Sequence, residues 1–562
     1  MKEIKDSIIK NAFLYAPSSI KNILKIKNIY SLHFHKDIFI KNNFKDIRFL
    51  KFYLSAKQMD NDNKLLLKLL DVSLIKISNF FNQKFEIQKT NEFYQALMGY
   101  WLIHIISQYI YFSRLLKFIN KNNLIPVQIQ FSEPINPENS DDYFELINKP
   151  IYQNYLFSSF LKISNVKSYT FQKNNHKYIK NYNKNIFNKL IFKIYFLIFK
   201  LIKPDTLIID PYFKNNHLIN KFKLTFFSKF KILFLNPRFL LNYDHSKSKK
   251  NNLINFNFKD NLLSYIFHNI PNEILLAIEG KLKINFNYIP KKIFTKNSFA
   301  ISNFHLFHSH NIDKLQVYVG QHGSTHGIFK GHLSEIFERR ISSKYFTYGW
   351  REDSSTIKFC SQKFKISRTN SDKILFATNN NSVFFLRYQS YYAPFQNEIS
   401  FVQNPINFIK HSKFKKNIIY RPYPARTHCF DNLTAIKKSI PELLIDKNKD
   451  FFDSIINSRV VIFDHLGLAF LEALSVNIPV VLILDPKANH FRESFYKYSK
   501  MLIENNILFY SPITASEFIN KNFFTFEKHW SSNKLQKDIK EFLSIYYNTD
   551  SNWHKVWIES LS

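Results

Sequence analysis

Cysteine is nearly absent from this chain, which has 2 cysteines, Cys360 and Cys429, among 562 residues. So few thiols exclude a disulfide framework, and their spacing is not that of a Cys-x-x-Cys metal or redox pair. Such usage is typical of a reducing compartment. Residues 1–6 lack the uninterrupted apolar core of a signal peptide. We therefore expect a protein that stays in the cytoplasm.

Long apolar runs are also missing. The strongest membrane candidate, residues 186–203, is interrupted by lysines, which excludes a bilayer-spanning helix. Lys189, Lys193 and Lys200 are four and seven residues apart, which places them on one helical face. Such a helix could lie on an anionic membrane surface, and it could equally be a core-packing helix with a solvated face. Peripheral attachment at the inner face of the cytoplasmic membrane is therefore one expectation.

Acidic residues are in the minority, with 43 against 79 lysines and arginines, so the formal net charge is +36. This charge predicts attraction to polyanions such as nucleic acid, anionic lipid or phosphorylated substrates. The basic residues are spread along the chain, without an RNA-recognition signature, zinc-finger spacing or basic zipper. We expect no nucleic-acid partner, and a non-catalytic polyanion-binding protein stays an alternative.

The residue patterns predict two α/β domains. At 562 residues the chain is too long for one ordinary core, and 45% hydrophobic residues exclude global disorder. Residues 1–123 are predicted to be mostly helical, and strand and helix patterns then alternate to residue 355. A second alternating series covers residues 371–540, and residues 541–562 are predicted to be a helical tail.

Alternating strands and helices are typical of parallel sheets covered by helices. Two consecutive Rossmann-like domains that face one another form the arrangement called GT-B. We predict an α/β, GT-B-like fold with two facing Rossmann-like domains, a helical N-terminal region and C-terminal helices. In that arrangement residues 371–540 bind a nucleotide-linked donor, and residues 1–355 lie on the acceptor side. The fold by itself does not fix the function.

One loop stands out by its glycines. The chain has 8 glycines, and those at positions 320, 323, 327 and 331 fall within twelve residues. An apolar run of strand type, residues 315–319, leads directly into this loop. So concentrated a group of glycines predicts a positive φ or a close approach of the backbone to a ligand. Open α/β sheets bind their ligands at such strand ends.

The same loop carries the candidate catalytic histidines, His322 and His326. A histidine with an ordinary pKa near neutrality can deprotonate an acceptor hydroxyl or donate a proton to a departing phosphate. Gln321 and Gly323 flank His322 and are candidates for contact with the donor. The alternative is a tight loop whose histidines are merely solvated.

Two further strand ends supply candidate donor-binding residues. The planar guanidinium groups of Arg421 and Arg426 suit the donor phosphates, and a carboxylate such as Glu472 suits ribose hydroxyls. Asp464 belongs to the turn in front of the helix that carries Glu472. The alternatives are a surface arginine pair in a proline-rich loop and a helix-start acid favoured by the macrodipole.

Acidic residues after another predicted strand are weaker, acceptor-side candidates. Glu133, Asp141 and Asp142 could hold a catalytic base or an acceptor hydroxyl, and a solvated loop explains them equally well. We expect no Asp-x-Asp site of the kind used by metal-dependent sugar transferases, and no His-x-x-x-His zinc pair with a partner acid. We therefore expect no metal site and no cofactor, with the nucleotide-sugar as co-substrate.

Several ordered motifs resemble a family of transferases encoded in bacterial O-antigen and other surface-polysaccharide clusters. Residues 320–335 and 341–350 carry the resemblance, and further motifs extend it along most of the chain, at residues 99–104, 382–387, 420–424, 470–479 and 530–557. The resemblance implies a GT-B-like glycosyltransferase. It would move a sugar from a nucleotide-activated donor to a growing surface polysaccharide, O-antigen or capsule, or to its lipid-linked acceptor.

The His-Gly loop is more distantly similar to that of polyol-phosphate polymerases and of transferases that use CMP-activated acidic sugars. This similarity implies phosphate binding or base catalysis for His322 and for His326. A phosphotransferase that moves a polyol-phosphate from a CDP-alcohol within the same fold is therefore an alternative. A degenerate transferase fold kept as an assembly partner is another.

The chain departs from the family's pattern at two points. Ser324 stands where the family usually has a second glycine, and the Asp-His-Leu-Gly sequence at 464–467 replaces a hydroxyl-rich turn. The second departure moves the expected phosphate contact towards Arg421, Arg426 and the backbone N–H groups that open the following helix.

Overall fold

Three large parallel sheets, a two-stranded parallel pair and the helices between them make up the described part of the architecture. The computed structural model describes residues 9–17, 26–36, 39, 46–131, 134–135, 137–173, 205–209, 232–235, 259–282, 289–363, 368–369, 371–388, 398–424 and 429–561. Of the helices in these ranges, none combines the length and the apolar character needed to cross a membrane.

The first sheet has five parallel strands in the order β3-β2-β1-β4-β5. They are β1 (Ile9–Phe13), β2 (Ile26–Leu32), β3 (Ile47–Leu50), β4 (Ile125–Phe131) and β5 (Tyr169–Lys173). The prediction that residues 1–123 are mostly helical is therefore wrong for the first fifty residues. Strands this short, interspersed with lysine and asparagine, show no clear period, and their pairing is decided by tertiary neighbours.

The prediction of long helices is confirmed for the rest of that region. Helix α1 (Ala56–Phe85) begins with a capping box formed by Ser55 and Gln58. Helix α2 (Asn91–Lys121) follows, and its apolar residues are buried on nearly all sides. A helix that is hydrophobic all round belongs in a core. Trp101, at 0% exposure, lies in that core.

The second sheet has six parallel strands in the order β11-β10-β9-β8-β6-β7. They are β6 (Thr206–Ile209), β7 (Ile232–Leu235), β8 (Lys292–Lys296), β9 (Gln316–Gly320), β10 (Lys344–Thr347) and β11 (Thr356–Lys358). The helices of this part of the chain are α3 (Ser140–Leu146), α4 (Pro150–Ile163), α5 (Asn261–His268), α6 (Asn272–Ile278), α7 (Ser302–His310) and α8 (Leu333–Ile341).

The third sheet also has six parallel strands, in the order β15-β14-β13-β16-β17-β18. They are β13 (Ile374–Ala377), β14 (Ile418–Arg421), β15 (Leu444–Ile445), β16 (Val460–Phe463), β17 (Val480–Ile483) and β18 (Leu508–Phe509). The described helices around it are α9 (Asn404–His411), α10 (Asn432–Ser439), α11 (Phe451–Ile456), α12 (Leu468–Ser475), α13 (Glu493–Glu504), α14 (Pro512–Asn522), α15 (Phe526–Trp530) and α16 (Asn533–Tyr546).

The end of the chain returns to the second sheet. Strand β19 (Thr549–Asp550) pairs in parallel with β12 (Ser361–Gln362), and helix α17 (Trp553–Leu561) follows. The Trp557 ring packs 5.1 Å from the Phe294 ring, and its indole N–H donates to the Cys360 carbonyl at 3.1 Å. The last helix thus covers the sheet that holds the glycine-rich loop.

The second and third sheets meet through the loops at the carboxyl ends of their strands. Phe329, in the loop after β9, forms an antiparallel bridge with Phe491, which follows β17. The Lys330 N–H donates to the His490 carbonyl at 2.9 Å, and the Arg492 N–H donates to the Ile328 carbonyl at 2.8 Å. Two parallel sheets that face one another in this way confirm the predicted GT-B-like fold.

A segment from the second half also docks on helix α2. The Gln108 amide donates to the Phe385 carbonyl, and the Tyr388 N–H donates to the Ser107 hydroxyl at 3.3 Å. The Arg387 guanidinium lies 3.1 Å from His104 Nε2. Residues 382–388 therefore join the two halves at a second place.

One buried carboxyl group gives folding a predictable pH dependence. Burial, and then the nearby Asp141, raise the pKa of Glu273 from 4.5 to about 8. Because this folded-state pKa lies above the unfolded one, the neutral group supports folding below pH 4.5, and that support is lost as the pH rises through about 8.

We expect the free energy of unfolding of the native chain, taken relative to that of Glu273→Gln, to fall between pH 5 and pH 8, because glutamine cannot ionise. Urea unfolding of both proteins at a series of pH values measures this difference in the free energy of unfolding. Glu517→Gln, at an exposed helix position, is the matched control and should keep the native slope. Parallel pH profiles for the native chain and Glu273→Gln would contradict the expectation.

Candidate functional site

Gln321 fixes the start of the glycine-rich loop. Its backbone N–H donates to the Phe346 carbonyl at 2.7 Å, which continues the β9–β10 pairing by one residue. Its side-chain oxygen accepts from the Tyr348 N–H at 2.9 Å and from the Trp350 indole N–H at 2.8 Å. Its amide nitrogen donates to the Gly323 carbonyl at 2.6 Å. Gln321 is buried, so these contacts within the protein make it a support of the loop.

The glycine cluster has a backbone reason at some of its positions. Gly327 adopts φ +75°, and a Cβ there would lie 2.6 Å from atoms of the Trp350 ring. Gly331 also has a positive φ of 63°. At Gly323 an added Cβ would make only an ordinary 3.5 Å contact with His326. The predicted positive φ is therefore confirmed for Gly327 and Gly331.

His322 is the loop histidine that reaches the surface. Its side chain is 24% exposed, while its Nδ1 atom faces inward, 3.5 Å from Oε2 of the fully buried Glu338. The other oxygen of Glu338 accepts from the Ser298 hydroxyl at 3.1 Å and from the Phe299 N–H at 3.2 Å. A carboxylate held in this way faces the imidazole at charge-pair distance.

His326 lies behind His322, at 1% exposure. The two rings are 4.6 Å apart, and the His332 ring follows at 4.3 Å from His326. His326 Nδ1 lies 2.5 Å from the Tyr345 hydroxyl. Burial, and then the neighbouring His332, hold the pKa of His326 well below its usual value. The structure thus places one of the two predicted catalytic histidines at the surface and the other beneath it.

The two histidines and Glu338 form a group of metal-binding type. One ligand atom from each of His322, His326 and Glu338 lies within 4.8 Å of the others. No partner acid is predicted for a His-x-x-x-His pair, but the structure places the Glu338 carboxylate beside one. His322 and His326 have that spacing, and helix α8 folds back to bring in Glu338, twelve residues beyond His326.

A buried ion pair connects the loop to the second half of the chain. Glu335 is fully buried, and its carboxylate accepts from the Gly327 N–H at 2.8 Å and from the Arg492 guanidinium at 2.7 Å. Arg492 also bonds Glu352 at 2.6 Å and the Phe329 carbonyl at 3.1 Å. Burial raises the pKa of Glu335, and Arg492 opposes that rise. The conformation of the loop thus depends on a residue that follows β17.

The third sheet contributes the turn after β16, where Asp464 is completely buried. It accepts from the Thr378 hydroxyl and from the Asn379 N–H, the latter at 3.1 Å. His465 Nδ1 lies 3.0 Å from the same carboxylate. Asp464 therefore orients His465, which is 15% exposed. Gly467 is the N-cap of α12, and a Cβ there would collide with the His465 ring.

The loop after β9 and the turn after β16 touch directly. The Ser324 hydroxyl donates to the Leu466 carbonyl at 2.7 Å. Ser324 is one of the two departures from the family pattern, and Leu466 belongs to the other. This contact brings the loop of His322 and the start of α12 together between the second and third sheets. We call the space between these two sheets the cleft.

A sequence model of the LIC12162 family transferases matches residues 15–561. The chain belongs to this family of transferases. No curated protein matches its sequence.

Solved structures with remote likeness to this LIC12162 family transferase include three of related architecture. Acinetobacter baumannii MurG is 8% identical with a TM-score of 0.35, and the likeness covers 64% of this chain and 99% of MurG. A Thermobaculum terrenum O-GlcNAc transferase mutant is 8% identical with a TM-score of 0.32, over 89% and 98%. UDP-N-acetylglucosamine 2-epimerase from Rickettsia bellii is 10% identical with a TM-score of 0.31, over 63% and 97%. Likeness this remote supports no conclusion about the reaction.

The guanidinium group of Arg421 in this transferase is already hydrogen-bonded to other residues of the protein. Its guanidinium bonds Asp446 at 2.5 Å, the Ser454 hydroxyl at 2.9 Å and the Asn448 carbonyl at 3.0 Å. These bonds hold the residues after β15 against the end of β14. They leave Arg421 poorly suited to bind a phosphate without losing structural contacts.

Glu472 lies on α12, in the part of the transferase that faces the second sheet. The carboxylate is close enough to Tyr348 to raise the pKa of that phenol, after the larger effect of burial. The Tyr348 N–H also bonds Gln321. Burial, and then Asp450, raise the pKa of Glu472 itself from 4.5 to about 7. Glu472 is therefore a half-buried acid near the loop of His322.

Two acceptor-side candidates of the transferase lie in another part of the described residues. Asp141 and Asp142 lie in the first turn of α3, beside Glu273. Glu133, Arg426, Lys189, Lys193 and Lys200 lie outside the described residues.

Sequence reasoning missed Glu338, His465 and Arg387. Glu335 and Glu338 are three residues apart on the helix after the loop, which places both on one face, and this spacing was an available signal. The only sequence signal for His465 was its position in the altered turn at residues 464–467. Arg387 stacks over the Phe299 ring at 4.7 Å, and no local pattern announces such a long-range contact.

Proposed function

We propose that this transferase moves a sugar from a nucleotide-activated donor to an acceptor bound across the cleft between the second and third sheets. The observation that carries the proposal is the Ser324–Leu466 hydrogen bond of 2.7 Å, which joins the loop of His322 to the turn before α12. Membership of a transferase family supports a group-transfer reaction at this cleft.

The donor side of the cleft is the beginning of α12. Its N-cap, Gly467, provides no side-chain cap. The first N–H groups of the helix and the positive end of its dipole therefore suit a donor phosphate. His465, held by Asp464 beside this turn, adds a second potential phosphate contact. These groups replace Arg421 in the phosphate role, and Glu472 supplies a carboxylate for ribose hydroxyls.

The reacting side of the cleft is His322. Its partly exposed ring can act on the reacting phosphate or the acceptor hydroxyl, while Glu338 holds the ring from behind. His326 does not reach the cleft itself and supports His322 through ring contact at 4.6 Å.

We propose a growing surface polysaccharide, O-antigen or capsule, or its lipid-linked precursor, as the acceptor. The motif resemblance along most of the chain supports this class. The net charge of +36 is compatible with a phosphate-linked acceptor and with work at the inner face of the cytoplasmic membrane.

A nucleotide panel tests the donor side: CMP, CDP, UDP, GDP and dTDP, each measured by thermal shift. A nucleotide present at about 100 times its dissociation constant should stabilise the protein by about 2.7 kcal/mol. Product analysis with the matching nucleotide-sugar should show a new glycosidic linkage. Release of CMP with phosphorus retained in the new linkage would replace sugar transfer by polyol-phosphate transfer. Equal stabilisation by unrelated polyanions, with no nucleotide preference, would contradict both.

Glu472 adds a pH signature to the same measurement. Its pKa of about 7 means that the carboxylate ionises as the pH rises through neutrality, and an ionised carboxylate accepts hydroxyl hydrogen bonds more strongly. We expect the affinity for the preferred nucleotide to increase from pH 6 to pH 8, and Glu472→Gln to remove the increase. Glu493→Gln, on an exposed helix, is the control. The same pH dependence in Glu472→Gln would exclude the ribose role.

A further inference from the structure

We propose that His322, His326 and Glu338 bind a divalent transition-metal ion. The inference concerns metal binding alone and does not depend on which group the enzyme transfers.

The first argument is the spacing between His322 and Glu338. His322 Nδ1 and Glu338 Oε2 are both buried, and neither has a hydrogen-bond partner among the described residues. They lie 3.5 Å apart. A charge-assisted N–H···O bond is about 2.7–2.9 Å long, so this pair is too far apart for one. Two ligands of a tetrahedral ion, each about 2.1 Å from the metal, are about 3.4 Å apart. The separation therefore matches two atoms with an ion between them.

The second argument is that hydrogen bonds already orient the His326 ring and the Glu338 carboxylate. With His326 Nδ1 held 2.5 Å from the Tyr345 hydroxyl, Nε2 is the nitrogen left for the ion. The second oxygen of Glu338 is held by Ser298 and Phe299. Metal-binding side chains are oriented by outer hydrogen bonds of this kind.

The third argument is that the group can close. The three ligand atoms lie within 4.8 Å of one another, so binding requires a movement of somewhat more than about 1 Å. His322 is the partly exposed member, and it stands on a loop. Loops move more readily than the strands and helices they connect, so a shift of this size is compatible with metal binding.

The ligand set indicates the class of ion. Two imidazoles and one carboxylate favour Zn²⁺, Co²⁺, Fe²⁺ or Mn²⁺ over Mg²⁺ and Ca²⁺, which prefer oxygen ligands. Three protein ligands leave a further position open towards the cleft, where a metal ion can polarise a substrate oxygen.

Metal binding to the full-length protein tests the proposal. The protein is stripped with a chelator, titrated with Co²⁺ or Zn²⁺, and measured by elemental analysis and by the visible absorption of bound Co²⁺. We expect about one equivalent in the native protein, and at least about 100-fold weaker binding in His322→Gln and Glu338→Gln. His332→Gln is the control, because His332 stacks on His326 without being one of the three ligands, and it should bind as the native protein does.

Substoichiometric binding by the native protein, or unchanged binding in His322→Gln, would overturn the proposal. His322 is partly exposed, so its variant remains informative if Glu338→Gln fails to fold. Absence of metal would leave the His322–Glu338 ion pair and the proposed transfer reaction unaffected, because neither readout uses activity.

Discussion

His322→Gln is expected to reduce the turnover number by about 10²- to 10⁴-fold, the range in which a positioned proton-transfer group contributes. His322 is the histidine of the loop whose side chain opens to the cleft, at 24% exposure. Glutamine places an amide near Glu338, so the buried carboxylate keeps a polar neighbour. The glutamine amide cannot take up a proton as the imidazole does, and it cannot replace the imidazole as a metal ligand.

Initial rates with the preferred nucleotide-sugar measure this effect, with urea unfolding of the same samples as the stability check. The free energy of unfolding should change by no more than about 1 kcal/mol, as for most substitutions outside the core. His411→Gln, on an exposed helix end, is the matched control and should retain full turnover. A turnover number within about threefold of the native one would remove His322 from the reaction.

Arg492→Met is expected to lower the free energy of unfolding by about 3 kcal/mol, because it removes the hydrogen-bonded cation of the buried Glu335 and leaves it only Arg339, 3.6 Å away. Arg492 contacts Glu335 at 2.7 Å, Glu352 at 2.6 Å and the Phe329 carbonyl at 3.1 Å. Glu335 in turn holds the Gly327 N–H. Transfer activity should therefore fall together with stability.

A double substitution separates the ion pair from the loss of packing. Arg492→Met combined with Glu335→Gln should be more stable than Arg492→Met alone, because the buried charge is then removed as well. Arg340→Met is the control, since Arg340 pairs with the exposed Asp71 and such surface pairs contribute about 1 kcal/mol or less. If Arg492→Met were no more destabilised than Arg340→Met, the contact between Arg492 and Glu335 would have no structural importance.

The sequence patterns predicted the sheets best where strands are buried on both faces. Strands such as Ile374–Ala377 and Val460–Phe463 are apolar and fully buried, and their continuous hydrophobic runs show this directly. The first three strands of the chain lack such runs. Strand β1 pairs with β4, where Ala12 meets Ile125, 113 positions further along the sequence, and β2 and β3 are added on the other side of β1.

Candidate residues were predicted by chemical type, but type does not reveal which groups are already occupied. Gln321 and Arg421 have the right chemistry for a donor, yet both are bonded within the protein. Arg421 meets Asp446 across 25 residues, a distance that no local spacing encodes. Glu338 was missed for the same reason, because only the packing of α8 against the loop brings it to His322.

The return of the last helix to the second sheet has a consequence for biosynthesis. Residues 553–561 cover Phe294 and Phe359, yet they are translated about 190 to 260 residues after these two aromatic residues. Until then an aromatic face of that sheet stays open to solvent, and exposed faces of this kind bind chaperones or other nascent chains. The sheet with the histidine loop is therefore completed only after residues 553–561 have been made.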